Sequence, residues 1–260
     1  MTPQSNRILA GIGSGAFAQV RDHLSPVTLR AGDVLNVTDD AIDRMIFPSS
    51  GLISLFVELN SGGRIEIGRI GRDGALGGAV LFGCNRQINI SQVRISGDAW
   101  SLGVDRVIGL ANESPLFTKM VFANERFLSV QAQQSAACTA RHHIVQRLAT
   151  RLLRIRDLSG EQDVPLTHAD LAEMLGVQRA TLSVAAAELK RHGLIRYVRG
   201  RISVVDQERL HAMACECVFD LERQWRQQPV GVPHVLPRAF PPAVGMAYLL
   251  RPRSRRHVRS

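Results

Sequence analysis

The feature that most constrains this chain is a single glycine, Gly176, set between two amphipathic helical runs. Thr167, with Asp170 three residues on, has the form of a capping box, in which a Thr side chain accepts from the N3 amide and an acidic one reaches back. The helix this opens runs to about Leu175. Gly176 suits a turn that needs a positive φ, and Val177 follows as an apolar residue beneath it. A second helix spans about residues 179–192, with Gly193 placed to end it. Leu171, Leu175, Val177, Leu182, Ala186 and Leu189 are spaced for burial where two helices cross steeply, and Ala172 and Ala185 permit close approach. The remaining face of the second helix carries Gln178, Arg179, Thr181, Ser183, Val184 and Lys190.

Two β-branched runs over residues 194–205 then flank Arg199, Gly200 and Arg201, the pattern of a hairpin with a basic tip. A short polar and basic face at a helix N-terminus is the geometry that enters a DNA major groove. Arg179 can bond a guanine edge and Gln178 an adenine edge, while Thr181 and Val184 can touch a thymine methyl. Arg199 and Arg201 on the wing would meet phosphates. Thr167, His168, Ser183 and Lys190 complete the candidate set. The competing interpretation is an αα-hairpin and a β-hairpin used for protein contacts. Charge favours a polyanion: residues 1–137 balance to zero, so the whole net charge of +9 falls in residues 138–260. Five of those cations lie in the last ten residues, a basic tail that is the bland source of the asymmetry, yet a positive balance remains without them.

Elsewhere the pattern changes. Residues 25–108 hold short β-branched runs separated by Gly, Asp and Asn, which suggests an antiparallel barrel or jelly roll. From Ser114 and Pro115 the spacing becomes helical, with Leu116, Met120, Ala123, Phe127, Val130 and Gln134 at three- and four-residue steps. That surface suits either a core helix or one shared between the barrel and a second subunit. A further helix is expected over residues 141–156, with a hinge near Ala136, Ala137 and Cys138. The chain is therefore expected to be α+β: a jelly-roll, sensor-like domain (1–113), a long helix and hinge (114–137), a winged helix-turn-helix (138–225) and a basic, disordered tail (226–260). The sequence shows no signal-peptide pattern and no apolar run long enough to span a bilayer. Four cysteines are too few for a disulfide scaffold, and a reduced cytoplasm is the default expectation.

Over roughly residues 15–225 the chain resembles the Crp–Fnr family of bacterial transcription regulators. The resemblance is most specific over residues 166–205, and Gly71 to Gly78 stands where that family has its glycine-rich turn around a ligand. It implies a cyclic-nucleotide-binding-like roll, a dimerisation helix over about 115–136, and a homodimer on near-palindromic double-stranded DNA with contacts to RNA polymerase in activators. It also implies effector-facing positions at Gly74, Gly77, Gly78, Asn89 and Ser91. Gly77 and Gly78 occupy the positions of a Gly-Glu pair whose Glu holds the ribose of cyclic AMP. The Arg that holds its phosphate has no counterpart near Asn89 and Ser91, so cyclic AMP is not the expected effector and the effector is unknown. No cysteine precedes Cys84, which argues against the family's N-terminal iron–sulfur cluster, and His23 is the only histidine before His142, which argues against haem. Arg179 matches the first of the family's DNA-contact positions, while Ala180 replaces its common Glu and Val184 its second Arg.

No metal site is expected. Adjacent His142 and His143 would face apart on a helix, and Cys215 and Cys217 lack an evident partner pair. Cys84 and Cys138 carry no sign of reactivity. No Ser/His/Asp set, P-loop or carboxylate pair points to an enzyme, and a cupin-like oxygenase would need barrel histidines that are absent after His23. Whether the roll senses a ligand or serves only as a dimerisation scaffold stays open at this point.

Overall fold

The computed structural model describes residues 2–60, 63–159, 163–198 and 200–220. Two short helices, α1 (Arg7–Gly11) and α2 (Ser14–Val20), precede seven strands. These are β1 (Ser25–Leu29), β2 (Val34–Asn36), β3 (Arg44–Pro48), β4 (Leu52–Glu58), β5 (Arg64–Ile70), β6 (Ile90–Ile95) and β7 (Gly97–Gly103). Helices α3 (Val104–Glu113), α4 (Pro115–Arg141) and α5 (Ile144–Ser159) follow. The remainder is β8 (Asp163–Val164), α6 (His168–Leu175), α7 (Arg179–Arg191), β9 (Ile195–Val198), β10 (Arg201–Val204) and α8 (Gln207–Met213).

The seven strands form two antiparallel sheets, ordered β1-β7-β3 and β2-β6-β4-β5. Their inner faces meet through Leu29, Ile46 and Ala99 from one sheet and Ile53, Leu55, Ile70 and Val93 from the other. This is the expected α+β architecture with an N-terminal β-roll. The outer face of the first sheet is covered by Ile8 and Leu9 of α1, Val107 and Leu110 of α3, and Phe117 and Val121 of α4, against Met45, Phe47 and Leu102. β4 is a nearly continuous apolar run because both of its faces are covered. Leu52, with Ile95 at its side, points away from the inner core and packs among Leu148, Leu152 and the helix-turn-helix residues.

The outer face of the second sheet is therefore the seat of the C-terminal domain, and its polar residues are part of the joint. Glu66 of β5 is 1% exposed. It accepts from Ser54 Oγ at 2.7 Å, pairs with Arg151 of α5, and lies 3.4 Å from Arg69 Nε. Arg151 also donates to the carbonyl of Met174 in α6 at 3.1 Å. Burial lowers the pKa of Arg151 to about 10, the cost of bringing a guanidinium to a site that Glu66 then balances. A second joint lies beside it. Arg94 and Arg64 flank the Phe56 ring at 4.6 and 5.0 Å, and both pair with Glu173 of α6. Arg94 further reaches Asp170 at 3.5 Å. Burial pushes the Glu173 carboxyl up, but hydrogen bonds from Arg64 and Arg94 outweigh it and hold it below the usual carboxylate range.

One boundary differs from the sequence expectation. Helix α4 passes through Ala136, Ala137 and Cys138 without a break, since Ala, Cys and Thr there offer nothing that stops a helix. The chain leaves helical geometry at His142 (φ −108°, ψ 143°), so the break between α4 and α5 lies at His142 and His143 rather than at Ala136 to Cys138. The expected basic tail lies outside the described residues. Breaking the Glu66 pair leaves a buried guanidinium uncompensated, an effect of about 3–5 kcal/mol. Glu66→Gln is accordingly expected to lower the unfolding free energy by that much, read in urea as a lower midpoint with little change in the slope of the transition. A shift below about 1 kcal/mol, as at an exposed pair, would show that the joint is not stabilised by this charge.

Candidate nucleic-acid interface

The helix-turn-helix is built from local signals. Thr167 Oγ1 accepts from the Asp170 amide at 3.2 Å, and the Thr167 amide donates to Asp170 Oδ2 at 2.8 Å, which closes the capping box. Gly176 adopts φ 63°, ψ 42°, and its amide and that of Val177 donate to the carbonyls of Glu173 and Ala172. A side chain at that φ is strained, so the turn needs glycine. Leu171, Leu175, Leu182, Ala185, Ala186 and Leu189 are all buried between α6, α7 and α5, with Val177 half-buried beneath the turn. Gly193 (φ 71°) ends the α7 region and leads into β9. β8, β10 and β9 form a small antiparallel sheet, with Ile202 of β10 facing Tyr197.

That packing leaves the opposite side of α7 uncovered. Gln178, Arg179, Ala180, Thr181 and Lys190 are exposed, and Val184, a large apolar side chain, is 70% exposed. Arg201 is exposed at the start of β10. Arg199 lies outside the described residues, while Gly200 between the two wing strands has φ 79°. Arg191 and Arg196, which the sequence reading did not single out, are also exposed and extend the cationic surface. Their signal was present in the count of basic residues but not in any motif.

The side chains of the remaining candidates are engaged with other residues of the protein. His168 Nδ1 lies 3.1 Å from Ser183 Oγ, Ser183 donates to the Arg179 carbonyl at 3.0 Å, and the His168 ring lies 4.5 Å from that of Tyr197. Burial, together with the charge of Arg179, lowers the His168 pKa and so favours the neutral ring. His168 and Ser183 thus strut α6 against α7 and the wing. The Thr167 side chain is engaged in its cap in the same way.

The effector-facing candidates divide. A cavity of about 340 Å³ lies between the roll and α4, and Gly77 and Asn89 line it. Gly74 and Gly78 instead sit against α4: a Cβ would meet Asn124 Oδ1 at 2.7 Å and Glu125 Oε1 at 2.5 Å, respectively. Ser91 is buried, with its hydroxyl donating to Asn36 Oδ1 at 3.2 Å. Leu55, Ile67, Leu76 and Leu128 make much of the wall. Among the lining residues described, Arg86 is the one cation, and it is exposed and donates to the Asp39 carbonyl at 2.6 Å. Glu125 of α4 also faces the cavity, and burial raises its pKa to about 7 against a hydrogen bond from Asn124.

One grouping overturns a sequence expectation. Cys215 and Cys217 do have partners: Cys138, in the last turn of α4, and His142, just past its end, bring one ligand-type atom each to within 4.8 Å of theirs. A Cys-x3-His spacing on a helix was visible in the sequence. Its match to a Cys-x-Cys lying 73 residues further on was not, because only tertiary packing joins them.

The described architecture is a roll of two antiparallel sheets, a long helix and a winged helix-turn-helix with a basic exposed helix. The Crp-like helix-turn-helix domain family matches residues 146–213. The nitrogen fixation regulation protein FixK of Bradyrhizobium diazoefficiens is 36% identical over 64 residues, 25% of this chain and 27% of the relative, so the aligned part spans about a quarter of that protein. The structure of FixK2 from Bradyrhizobium japonicum superposes with a TM-score of 0.64 at 17% identity, covering 74% of this chain and 98% of that one. A CRP/FNR-family transcriptional regulator from Thermus thermophilus gives 0.60 at 24% identity, covering 73% and 98%. With these findings residues 146–213 are similar to the Crp-like helix-turn-helix domain family, and the fold is that of the two solved regulators. No helix among the described residues is long and apolar enough to cross a membrane.

Glu125 has a pH consequence. Its native pKa, near 7, lies above the unfolded value of 4.5, so the native state holds the extra proton between those limits. Stability therefore falls as pH rises through that window and levels off above it. Glu125→Gln is expected to raise Tm more at pH 8 than at pH 5, read by differential scanning calorimetry. An equal shift at both pH values would contradict burial of the carboxylate.

Proposed function

We propose that this protein is a sequence-specific, double-stranded-DNA-binding transcription regulator that acts as a homodimer in the cytoplasm, with an effector other than cyclic AMP. The observation that carries this reading is the uncovered face of α7. Arg179, Ala180, Thr181 and Val184 stand free on a helix whose other side is fully packed. Burial would be the ordinary fate of Val184, and a thymine methyl is an apolar partner that an exposed Val can meet. Arg179 is assigned to a base edge, Gln178 and Thr181 to its neighbours, and Lys190, Arg199 and Arg201 to phosphates. His168, Ser183 and Thr167 hold the reading helix in place.

Dimerisation is assigned to α4. Its 27 residues lay Phe117, Val121, Phe127 and Gln131 against the roll, and leave Ala136, Ala137 and Ala140 exposed with Ala123 and Val130 half-covered. Phe82, 53% exposed, stacks on Phe122 of the same helix at 4.5 Å, an aromatic pair suited to a second chain. The cavity argues against a cyclic nucleotide, because among the described lining residues a buried phosphate would meet Glu125, and Arg86, the one cation, is exposed and bonded to the Asp39 carbonyl.

The test begins with selection of a preferred duplex from a random pool, followed by anisotropy titration of the full chain. Arg179→Ala is expected to weaken binding to the selected duplex by about 1–3 kcal/mol and binding to a scrambled duplex far less. Lys190→Ala and Arg201→Ala are expected to weaken both, each lowering the slope of log affinity against log salt by about 1. Equal affinity of Arg179→Ala and the parent for the selected duplex would remove α7 from its role. Added cyclic AMP is expected to change neither Tm nor affinity.

A further inference from the structure

Four side chains from two distant segments converge beside the break between α4 and α5. Cys138 and His142 lie one turn apart at the end of α4, and Cys215 and Cys217 lie just beyond α8. Cys215 and Cys217 are buried, Cys138 and His142 partly so. Cys138 Sγ is 3.7 Å from Cys215 Sγ, and His142 Nδ1 is 3.5 Å from Cys217 Sγ. Zinc takes Cys sulfur at about 2.3 Å and His nitrogen at about 2.0–2.1 Å, so a tetrahedron with those arms has S···S edges of about 3.8 Å and S···N edges of about 3.5 Å. Both distances seen here are edges of that tetrahedron.

The surroundings fit the same chemistry. His142 turns Nδ1 towards the cysteines while Nε2 lies 3.1 Å from the Glu216 carboxylate, the carboxylate–histidine arrangement that orients a metal-bound ring. Gln134 donates to Cys217 Sγ at 3.0 Å, and Thr150 Oγ1 is 3.1 Å from Cys215 Sγ, which suits thiolates. Three thiolates around a divalent ion leave one negative charge, and Arg69, Arg147 and Arg154 line the small cavity next to Cys138 and Cys217. A disulfide would occupy two of the four groups and leave the orientation of His142 and the third thiol without a role.

We propose that Cys138, His142, Cys215 and Cys217 form a closed, four-ligand structural site for a thiophilic divalent metal of the zinc class. Binding displaces the remaining thiol protons to solvent and joins sulfur and nitrogen lone pairs to the ion, with no change of oxidation state. The site clasps the end of the DNA-binding domain to the end of α4, across the helix break at His142 and His143. It stands independently of the DNA-binding proposal above.

The test is a cobalt(II) titration of the full chain, stripped of metal and fully reduced. One equivalent per chain is expected to produce the intense visible bands of tetrahedral cobalt and near-ultraviolet thiolate-to-cobalt charge transfer, both erased by one equivalent of zinc. Cys217→Ser and Cys138→Ala are expected to lose the parental spectrum. Cys84→Ser, which alters an exposed thiol of the roll, is expected to keep it. Glu216→Gln is expected to weaken metal affinity by about 10–100-fold, as loss of an outer carboxylate does. Zinc is also expected to raise the Tm of the parent and not that of Cys217→Ser. The parent alone decides if a variant fails to fold: a reduced parent chain with no tetrahedral spectrum overturns the site. So does a spectrum that is unchanged in Cys217→Ser or lost in Cys84→Ser.

Discussion

The carboxylate of Glu66 is where the two halves of this molecule become one. It sits on a strand whose face would ordinarily look to solvent, yet it is covered by α5 and satisfied by Ser54, Arg69 and Arg151. Arg69 belongs to the same strand, but Arg151 arrives from the other domain, so this buried pair favours one mutual placement of the two. Arg151 extends the constraint to the end of α6 through the Met174 carbonyl, and Arg94 ties the α6 cap itself to β6. With α6 held against the roll, α7 is left on the far side of the helix pair. The exposure of Arg179 and Val184 thus follows from charges more than 80 residues away in sequence as well as from the turn at Gly176.

The helix-turn-helix was legible because each of its signals is local. The Thr167–Asp170 cap, the left-handed turn at Gly176, the close at Gly193 and the apolar spacing from Leu171 to Leu189 are all decided within a few residues of backbone. The roll was legible for a similar reason, since short β-branched runs with intervening turns have few alternatives. What could not be read were long-range polar matches. Glu66, Arg94 and Glu173 look like solvated charges in the chain, and only the docked fold shows them paired. The four-residue cluster around Cys215 escapes a sequence reading on the same grounds, its halves being far apart in the chain. The shifted helix break has a different cause: Ala136 and Ala137 prolong a helix, and His142 ends it where its ring is engaged with Glu216 and Cys217.

These observations divide the site residues by what their side chains do. Gln178, Arg179, Thr181, Lys190 and Arg201 are available to a partner, whereas His168, Ser183 and Thr167 are occupied in holding α6, α7 and the wing together. In the roll, the same distinction separates Gly77 and Asn89, which border a cavity, from Gly74 and Gly78, which are small so that α4 can approach. The glycine-rich turn therefore has a packing reason to exist whether or not a ligand enters. The helix to which dimerisation is assigned in the proposal is the same helix that borders the cavity and leads into two of the four clustered residues, Cys138 and His142. A change at any of these sites is felt along α4.

The most direct test is positional. A photo-crosslinking amino acid placed at Thr181 of the full chain, on the exposed face of α7, should attach to duplex DNA on irradiation. The same group at Asp33, exposed on the roll, should not. Crosslinking from Asp33 with none from Thr181 would contradict the orientation on which this account of the molecule depends.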